Sequence, residues 1–395
     1  MKAEMKKRPV HVIDTTLRDG EQAPGVAFSL LEKRTLVNML DSAGVDELEV
    51  GTPAMGSVAC EEIREVVSLK PGCLLTSWCR ALEADLDLAA ECGTNGVHIS
   101  FPVSSILLQA IGKDPHWVLK RMKRLIPFAL ERFRWVSVGA QDAFRADLAF
   151  LKRFVWSAAA CGAHRVRIAD TVGLAIPSRV VDMVNGLASL IGYRALEFHG
   201  HNDLGMATAN TIAAIEAGIG CVSVTVNGLG ERAGNAPLEQ VAVATHTLVG
   251  RSCAVDLQQL MPLCQFVSNI SNRPIAVDRP ICGDNVFSHE SGIHCAALLK
   301  NQTTYQPFDP GMLGRRGPRL VVGRHSGSRV LQHVMQKIGV KMDAEQAEQF
   351  LADVRCESLN LRSSLAISDL ARLYPRKNEK GRVEKQTATF SLQEI

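Results

Sequence analysis

The sequence predicts a (β/α)8 TIM barrel followed by a smaller, mostly helical C-terminal region. Four times a helical stretch ends at a glycine and an apolar strand follows, and four further apolar stretches have the length and composition of strands. Eight such units within roughly 240 residues match the size of this barrel. An open doubly wound sheet is the rival arrangement, but the Gly-x-Gly-x-x-Gly string expected after its first strand does not follow the first apolar stretch here.

Each predicted strand has a local reason. In the repeated phrase the glycine supplies a left-handed helix end, and the β-rich run after it is typical of a buried parallel strand. The phrase covers residues 41–50, 91–100, 161–169 and 216–225. The other four strands are predicted at residues 10–13, 73–78, 133–138 and 195–199.

Beyond residue 255 prolines break the chain often, which is typical of a linker. We therefore predict a catalytic barrel over residues 1–255, then a linker and C-terminal helical subdomain over residues 256–395. Within the second part we expect a helix over residues 344–361. The polar, charged stretch from residue 376 onward is expected to be disordered.

Composition narrows the class of protein. The chain has 395 residues, 46% hydrophobic and 22% charged, and a net charge of +3, which is typical of a globular enzyme and gives no support for a nucleic-acid partner. The charged N-terminus is unlike a secretory signal, and no apolar run is long enough to cross a membrane. Eleven scattered cysteines without Cys-x-x-Cys spacing indicate reduced thiols in the cytoplasm.

Two strings carry the chemistry. Residues 14–22 supply an arginine and carboxylates after the first strand, and His199 and His201 lie two residues apart at the end of the seventh. Because residues i and i+2 of a strand point to one face, both imidazoles can reach one ion. Asp19 is the best carboxylate to complete a site with open positions for substrate. The alternatives are hydrogen-bonded core histidines and a helix-capping aspartate.

The candidate residues also share one end of the predicted barrel, where active sites of this fold lie. Each lies at the end of a predicted strand or directly after it. Arg18, Asp19 and Gln22 follow the first strand, Thr171 follows the sixth, His199 and His201 lie at the end of the seventh, and Asn227 and Gly228 follow the eighth. Two structural alternatives stay open. In the first, Arg18 is only a salt-bridge partner on a loop; in the second, the glycine-rich loop that ends at Asn235 is an ordinary turn.

A cation held by two histidines and a carboxylate suits a 2-oxo acid that chelates through its keto oxygen and carboxylate. The cation would polarise the keto group, and Arg18 would stabilise the alkoxide that forms. The attacking carbanion needs a base, for which His294 and Glu290 are available.

At these strings the chain resembles the acyltransferase branch of the DRE-type TIM-barrel metalloenzymes, which includes 2-isopropylmalate, citramalate and homocitrate synthases, and 3-hydroxy-3-methylglutaryl-CoA lyases. The resemblance covers roughly residues 10–370. Its most specific strings are residues 14–22, 49–56, 169–173, 199–210, 227–235 and 323–327. Residues 51–56 and 76–80 are most similar to the homocitrate synthases linked to nitrogenase cofactor assembly.

The resemblance implies a divalent metal ion bound by Asp19, His199 and His201, with Asn235 ligating or supporting it. Magnesium, manganese, zinc and iron(II) all accept this set of ligands. It places Arg18 and Gln22 at the reacting carbonyl and Thr171 as a substrate-binding hydroxyl.

It also implies that His294 acts across a homodimer interface. The implied reaction is a Claisen condensation of acetyl-CoA with 2-oxoglutarate, which gives homocitrate and CoA. The end of the chain at residue 395 leaves no room for a leucine-sensing domain, which argues against a full-length isopropylmalate synthase.

One position departs from the family pattern. Gln141 stands where the family usually has a glutamate before Asp142, and an amide cannot take up a proton as a carboxylate does. We expect Gln141 to hydrogen-bond in the site and His294 to be the main base, with Asp142 as the other candidate. His98 and Arg167 are the candidates to bind the distal carboxylate of the oxo acid. The alternative for Arg167 is a structural role in the core.

Three rival functions stay open at this point: citramalate or isopropylmalate synthesis with another oxo acid, cleavage as in the lyases, and a catalytically inactive metal-binding scaffold.

Overall fold

The structure is a computed structural model that describes residues 9–374. Its first part is a closed barrel of eight parallel strands in which each strand pairs with the next in sequence and β8 pairs with β1. The strands are β1 His11–Asp14, β2 Glu47–Gly51, β3 Leu74–Arg80, β4 Gly96–Pro102, β5 Trp135–Gln141, β6 Arg165–Asp170, β7 Leu196–Gly200 and β8 Cys221–Val224.

Helices connect the strands of the barrel. They are α1 Leu30–Ser42, α2 Ser57–Ser68, α3 Glu83–Cys92, α4 Ser105–Ala110, α5 Pro115–Leu130, α6 Leu148–Ala160, α7 Pro177–Ile191, α8 Ala207–Ala217 and α9 Leu238–Thr247. Among the described residues no helix is long and apolar enough to cross a membrane.

The predicted barrel is confirmed, and all eight strands lie where the sequence placed them. The main difference is at the carboxyl ends, where β3 extends to Arg80 and β5 to Gln141. The predicted strands stop earlier because residues 79–80 and 139–141 include Arg80, Gly139, Ala140 and Gln141, which have low strand propensity or are polar.

The glycines of the repeated phrase have the predicted backbone. Gly44, Gly93, Gly162 and Gly218 all have positive φ, between 76° and 114°. At Gly44 a β-carbon would also lie 2.4 Å from the carbonyl oxygen of Ala254, so only glycine fits the turn into β2.

The chain divides into two compact units. Among the described residues, the barrel unit comprises 9–286 and 310–315, and the second unit comprises 287–309 and 316–374. The sequence analysis placed the boundary at residue 255, whereas the barrel unit also includes helix α10, Leu260–Ile270. This helix buries Leu260, Leu263, Cys264, Val267 and Ser268, which are spaced as one helical face, and it contacts α1.

The second unit is mostly helical, as predicted. It contains α11 Gly292–Leu298, α12 Ser328–Lys337, α13 Ala344–Leu361 and α14 Ile367–Leu373, with a parallel pair formed by β9 Ser288–His289 and β10 Arg319–Leu320. Its core includes Val330, Leu331, Phe350 and Val354, from α12 and α13. The α13 prediction is confirmed to the residue, and the tail predicted to be disordered lies outside the described residues.

Charged side chains occupy the interior of the barrel. Arg165 on β6 forms a bidentate pair with Glu47 on β2, with both N–O distances 2.8 Å, and its Nε lies 2.7 Å from Glu197 on β7. Two residues along β6, Arg167 pairs with Glu197 and donates to Glu49 over 2.7 Å. All five side chains are buried.

These pairs remain ionised because each charge has a partner. Burial opposes ionisation of Glu47 and Glu49, but the arginines outweigh it and hold both carboxyl pKa values below their ordinary range. The pKa of Arg165 is raised in spite of burial, because Glu47 and Glu197 both face it. Removing one member would leave an uncompensated charge in the barrel.

We therefore expect Arg165→Met to lower the free energy of unfolding by about 3–5 kcal/mol, since Glu47 and Glu197 lose their shared cation. The matched control is Arg124→Met, which breaks the largely exposed pair with Glu83 and should cost less than about 1 kcal/mol. Urea unfolding followed by circular dichroism measures both. Equal losses in the two variants would contradict a stabilising role for the interior network.

Candidate active site

The three predicted metal ligands meet at the carboxyl end of the barrel. Asp19 lies on the turn after β1, while His199 is in β7 and His201 directly follows it. The Nε2 atoms of the two histidines are 3.2 Å apart, and Asp19 Oδ2 lies 3.1 Å from that of His199 and 3.8 Å from that of His201. All three side chains are buried.

An isolated antiparallel bridge brings Asn235 to the same point. His201 and Asn235 form an antiparallel bridge, and the amides of Asn202 and Ala236 donate to the carbonyls of Gly234 and Gly200 over 2.9 and 3.2 Å. Asn235 Nδ2 donates to the carbonyl of Leu229 over 3.0 Å, which leaves Oδ1 buried and without a hydrogen-bond partner among the described residues.

The residues present fit a divalent cation. Burial, together with the neighbouring His199, lowers the pKa of His201 to about 4, so this imidazole is neutral at pH 7. Burial opposes ionisation of Asp19, but the charge of Arg18 and the imidazoles outweigh it and hold the pKa of the carboxyl well below its usual range. A neutral imidazole and an ionised carboxylate are the forms that bind metal. Asp19 Oδ2 and Asn235 Oδ1 are buried and have no hydrogen-bond partner among the described residues, and such an ion would satisfy both oxygens.

Arg18 is held beside these ligands by the interior charge network. Its guanidinium lies 2.5 Å from Glu49 Oε1, and Glu49 is itself paired with Arg167. Arg18 Nη1 lies 3.5 Å from Asp19 Oδ1, and the guanidinium carbon lies 5.7 Å from the centre of the Trp78 ring. An arginine fixed on two sides can present its remaining N–H groups to an oxyanion at little conformational cost.

A cavity of about 270 Å³ opens above these residues. The predicted candidates Arg18, Asp19, Gln22, His98, Gln141, Arg167, Thr171, His199 and His201 all line it, together with Trp78, Ser100, Gly139, Ala169, Glu231 and Arg232. Thr171 accepts a hydrogen bond from the amide of Asp142 over 2.8 Å, so its hydroxyl hydrogen is left to donate.

The two candidates for a distal carboxylate differ in charge state. Burial, followed by the charge of Arg167, lowers the pKa of His98 well below its ordinary value, so His98 is neutral, and its Nδ1 lies 2.8 Å from Ser137 Oγ. Arg167 is charged but directs Nε and Nη2 at Glu197 and Glu49. Both residues line the cavity, and substrate binding by either stays a prediction.

Asp142, the other candidate base, forms an ion pair with Arg145. Its two carboxylate oxygens accept from Arg145 Nε over 2.8 and 3.0 Å, and it does not line the cavity. In the second unit His294, on α11, is exposed and stacks on Tyr305 with ring centres 4.1 Å apart. Glu290 Oε1 accepts from the amide of His325 over 3.0 Å, which gives that carboxylate a structural contact.

Sequence reasoning missed two residues of the site. Glu49 holds Arg18, and its string, residues 49–56, was used only for family resemblance. Arg232 lines the cavity and forms a bidentate pair with Asp203, at 2.7 and 3.0 Å. The sequence did contain a signal for the Arg232–Asp203 pair, because Asp203 directly follows the histidine string and Arg232 lies in the glycine-rich loop.

Comparison with known proteins agrees with this geometry. Residues 9–267 match the HMGL-like family, and residues 281–358 match the homocitrate synthase post-HMGL domain. The chain belongs to the HMGL-like family.

Two relatives align along nearly their whole length. 2-Isopropylmalate synthase 2 of Caldanaerobacter subterraneus subsp. tengcongensis is 40% identical over 93% of this chain and 96% of its own. Homocitrate synthase 1 of Nostoc sp. is 41% identical over 92% of this chain and 96% of its own. Such relatives are acyltransferases, and this HMGL-like chain is an enzyme of that type.

The fold is also that of a solved 3-hydroxy-3-methylglutaryl-CoA lyase. An HMG-CoA lyase from Acinetobacter baumannii superposes with a TM-score of 0.63 at 19% identity, over 72% of this chain and 99% of the lyase. At this identity the similarity supports the barrel alone.

We expect His201→Ala to weaken Mn²⁺ binding by at least about 100-fold, because loss of even an indirect metal contact costs 10–100-fold. The control is His116→Ala, which removes an exposed imidazole on α5. Isothermal titration of the metal-stripped protein measures both affinities. Unchanged Mn²⁺ affinity in His201→Ala would show that the ion binds elsewhere.

Proposed function

We propose that this HMGL-like enzyme condenses acetyl-CoA with 2-oxoglutarate and that water then hydrolyses the thioester of the product, which releases homocitrate and CoA, in the branch linked to nitrogenase cofactor assembly. The observation that carries the proposal is the position of Arg18, a buried guanidinium next to an Asp-His-His set that fits a divalent cation. The relatives named homocitrate synthase support the choice of 2-oxoglutarate.

A cation on Asp19, His199 and His201 would polarise the keto group of the oxo acid. Arg18 stabilises negative charge on the former keto oxygen, with its own charge balanced by Glu49 when no substrate is present. Thr171 donates its free hydroxyl hydrogen to the substrate carboxylate. These contacts fix the face of the keto carbon that the acetyl group attacks.

The proton of the acetyl methyl group needs a base, and His294 is the proposed one. Three observations support it: Gln141 cannot accept a proton as a carboxylate does, Asp142 is paired with Arg145, and Glu290 accepts from the amide of His325. Since His294 is exposed, we propose that it acts in the site of a second copy within a homodimer.

A second candidate is 2-isopropylmalate or citramalate synthesis. It is favoured by the charge balance of the cavity, because Arg18, Arg167 and Arg232 each already face a carboxylate. An oxo acid with an uncharged distal end needs no additional cation. Chain length does not separate the two, since the isopropylmalate synthase relative aligns over 96% of its own length.

The first prediction is that the metal-reconstituted protein releases CoA from acetyl-CoA with 2-oxoglutarate as acceptor, and that chelation abolishes the release. A thiol reagent follows free CoA, with pyruvate and 2-oxoisovalerate as parallel acceptors. Release with one of these alone would establish the second candidate. If none of the three acceptors led to CoA release, this result would contradict the proposed condensation.

The second prediction concerns Gln141. If the site lacked a base, Gln141→Glu would raise kcat by about 10²–10⁴-fold, the usual worth of general base catalysis. We expect less than about a tenfold change, because His294 supplies the base. Steady-state kinetics of both proteins, with metal content matched, decides between these outcomes.

The third prediction is complementation between two inactive variants. His294→Ala and Arg18→Met should each lose about 10²-fold or more in kcat. If His294 acts across the dimer, refolding an equal mixture should restore roughly a quarter of the sites, because half of the dimers are mixed and each carries one intact site. The mixture staying as inactive as its parents would place His294 in its own subunit's site or outside any site.

A further inference from the structure

A second group of metal-ligating side chains lies in the barrel unit, away from the candidate active site. Glu239 on α9, Cys264 on α10 and Cys282 each offer one ligand atom, and these atoms all lie within 4.8 Å of one another. The three residues are at most 3% exposed. None of them lines the active-site cavity, and the condensation uses none of them.

The spacing of the cluster suits a tetrahedral ion. With Zn–S bonds of about 2.3 Å, two thiolates on one zinc are about 3.8 Å apart. The sulfur atoms of Cys264 and Cys282 already lie within 4.8 Å of each other. Small rotations of the side chains would therefore bring all three ligand atoms to one ion.

The backbone around Cys282 is built to place its thiol. Ile281 has a φ of +73°, and the amide of Cys282 donates to the carbonyl of Pro280 over 2.9 Å, which closes a three-residue turn. A β-branched residue rarely adopts this conformation. At the next position only glycine fits, because a β-carbon on Gly283 would lie 2.5 Å from the carbonyl oxygen of Val277.

The charges of a loaded site would balance. Metal binding releases the thiol protons, so two thiolates and a carboxylate would then carry three negative charges. A divalent ion together with Arg279, whose guanidinium lies 3.5 Å from Glu239 Oε1, would balance these three anions.

An ion can reach the cluster from solvent. Cys282 lines a cavity of about 480 Å³, whose other walls include Gln265, Asn272 and Asp284. Polar walls of this kind accept a hydrated cation before it loses its water.

Asn227 connects the cluster with the active-site loop. Its amide donates to Glu239 Oε2 over 3.1 Å, and its Nδ2 donates to the carbonyl of Cys264 over 2.8 Å. Its Oδ1 is buried and has no hydrogen-bond partner among the described residues. Asn227 begins the loop that ends at Asn235, and within it the amide of Asn235 donates to the carbonyl of Gly228 over 2.9 Å.

We propose that Glu239, Cys264 and Cys282 bind a thiophilic divalent cation of the zinc type, in a structural site separate from the catalytic one. The ion joins α9, α10 and the segment after it, and through Asn227 it fixes the start of the loop that carries Asn235. Asn227 Oδ1, which is buried and has no hydrogen-bond partner among the described residues, is the candidate for the fourth ligand.

Cobalt(II) titration of the reduced, metal-stripped protein tests this site without an activity assay. A thiolate bound to cobalt gives a charge-transfer absorption in the near ultraviolet, and the Asp-His-His site has no thiolate that could produce it. We expect a second equivalent of cobalt to bind with this absorption, and zinc to displace it. The variants Cys264→Ser and Cys282→Ser should each lose the absorption and the second equivalent, while still binding the first.

The matched control is Cys92→Ser, which removes another buried thiol that lies against a second cysteine, Cys60. This variant should keep the full absorption. The proposal is overturned if the wild-type protein binds cobalt without the absorption, or if the absorption survives in the Cys264→Ser, Cys282→Ser double variant. Because the readout needs no substrate, it is independent of whether the proposed condensation occurs.

Discussion

The arrangement of the active end depends on a chain of buried ion pairs inside the barrel. Three glutamates, Glu47, Glu49 and Glu197, face three arginines, Arg165, Arg167 and Arg18, so the formal charges cancel. An interior of this kind is not the most stable core available, since apolar residues of similar volume usually pack at least as well. Its consequence here is the position of Arg18, because Glu49 at the end of this series of ion pairs holds Arg18 beside Asp19.

Different strands of the barrel position the Asp-His-His set and Arg18. The proposed metal ligands His199 and His201 are held by β7 and by the bridge between His201 and Asn235, whereas Arg18 is held by its ion pair with Glu49 on β2. Asp19 faces both groups, since its Oδ2 lies 3.1 Å from His199 Nε2 and its Oδ1 lies 3.5 Å from Arg18 Nη1, while Glu49 supplies Arg18 with a second carboxylate. In the proposed reaction, charge that develops on a substrate oxygen between the cation and Arg18 would meet two preorganised positive groups.

Much of this could be predicted from the sequence, and the limits have physical reasons. Glycines with left-handed backbone and β-rich runs are local signals, so all eight strands were found. His199 and His201 are two residues apart, so their shared face follows from strand geometry alone.

Contacts between distant parts of the chain leave no such signal. The Arg18–Glu49 pair joins the ends of two strands, and nothing in either string shows that the two side chains turn toward each other. The boundary at residue 255 was placed too early because prolines begin near it, although α10 buries an apolar face in the barrel unit. The cluster of Glu239, Cys264 and Cys282 was missed for the same reason, since its ligands lack any short metal-binding spacing.

We infer that Glu49, through its ion pair, positions Arg18 for the proposed condensation and takes no part in metal binding. The kcat of Glu49→Gln for condensation, determined beside its Mn²⁺ affinity, tests this inference. We expect a fall of about 10²-fold in kcat, as for a catalytic group that is misplaced, with Mn²⁺ affinity close to that of the wild-type protein. Full turnover in Glu49→Gln would contradict it, and so would a parallel loss of the metal.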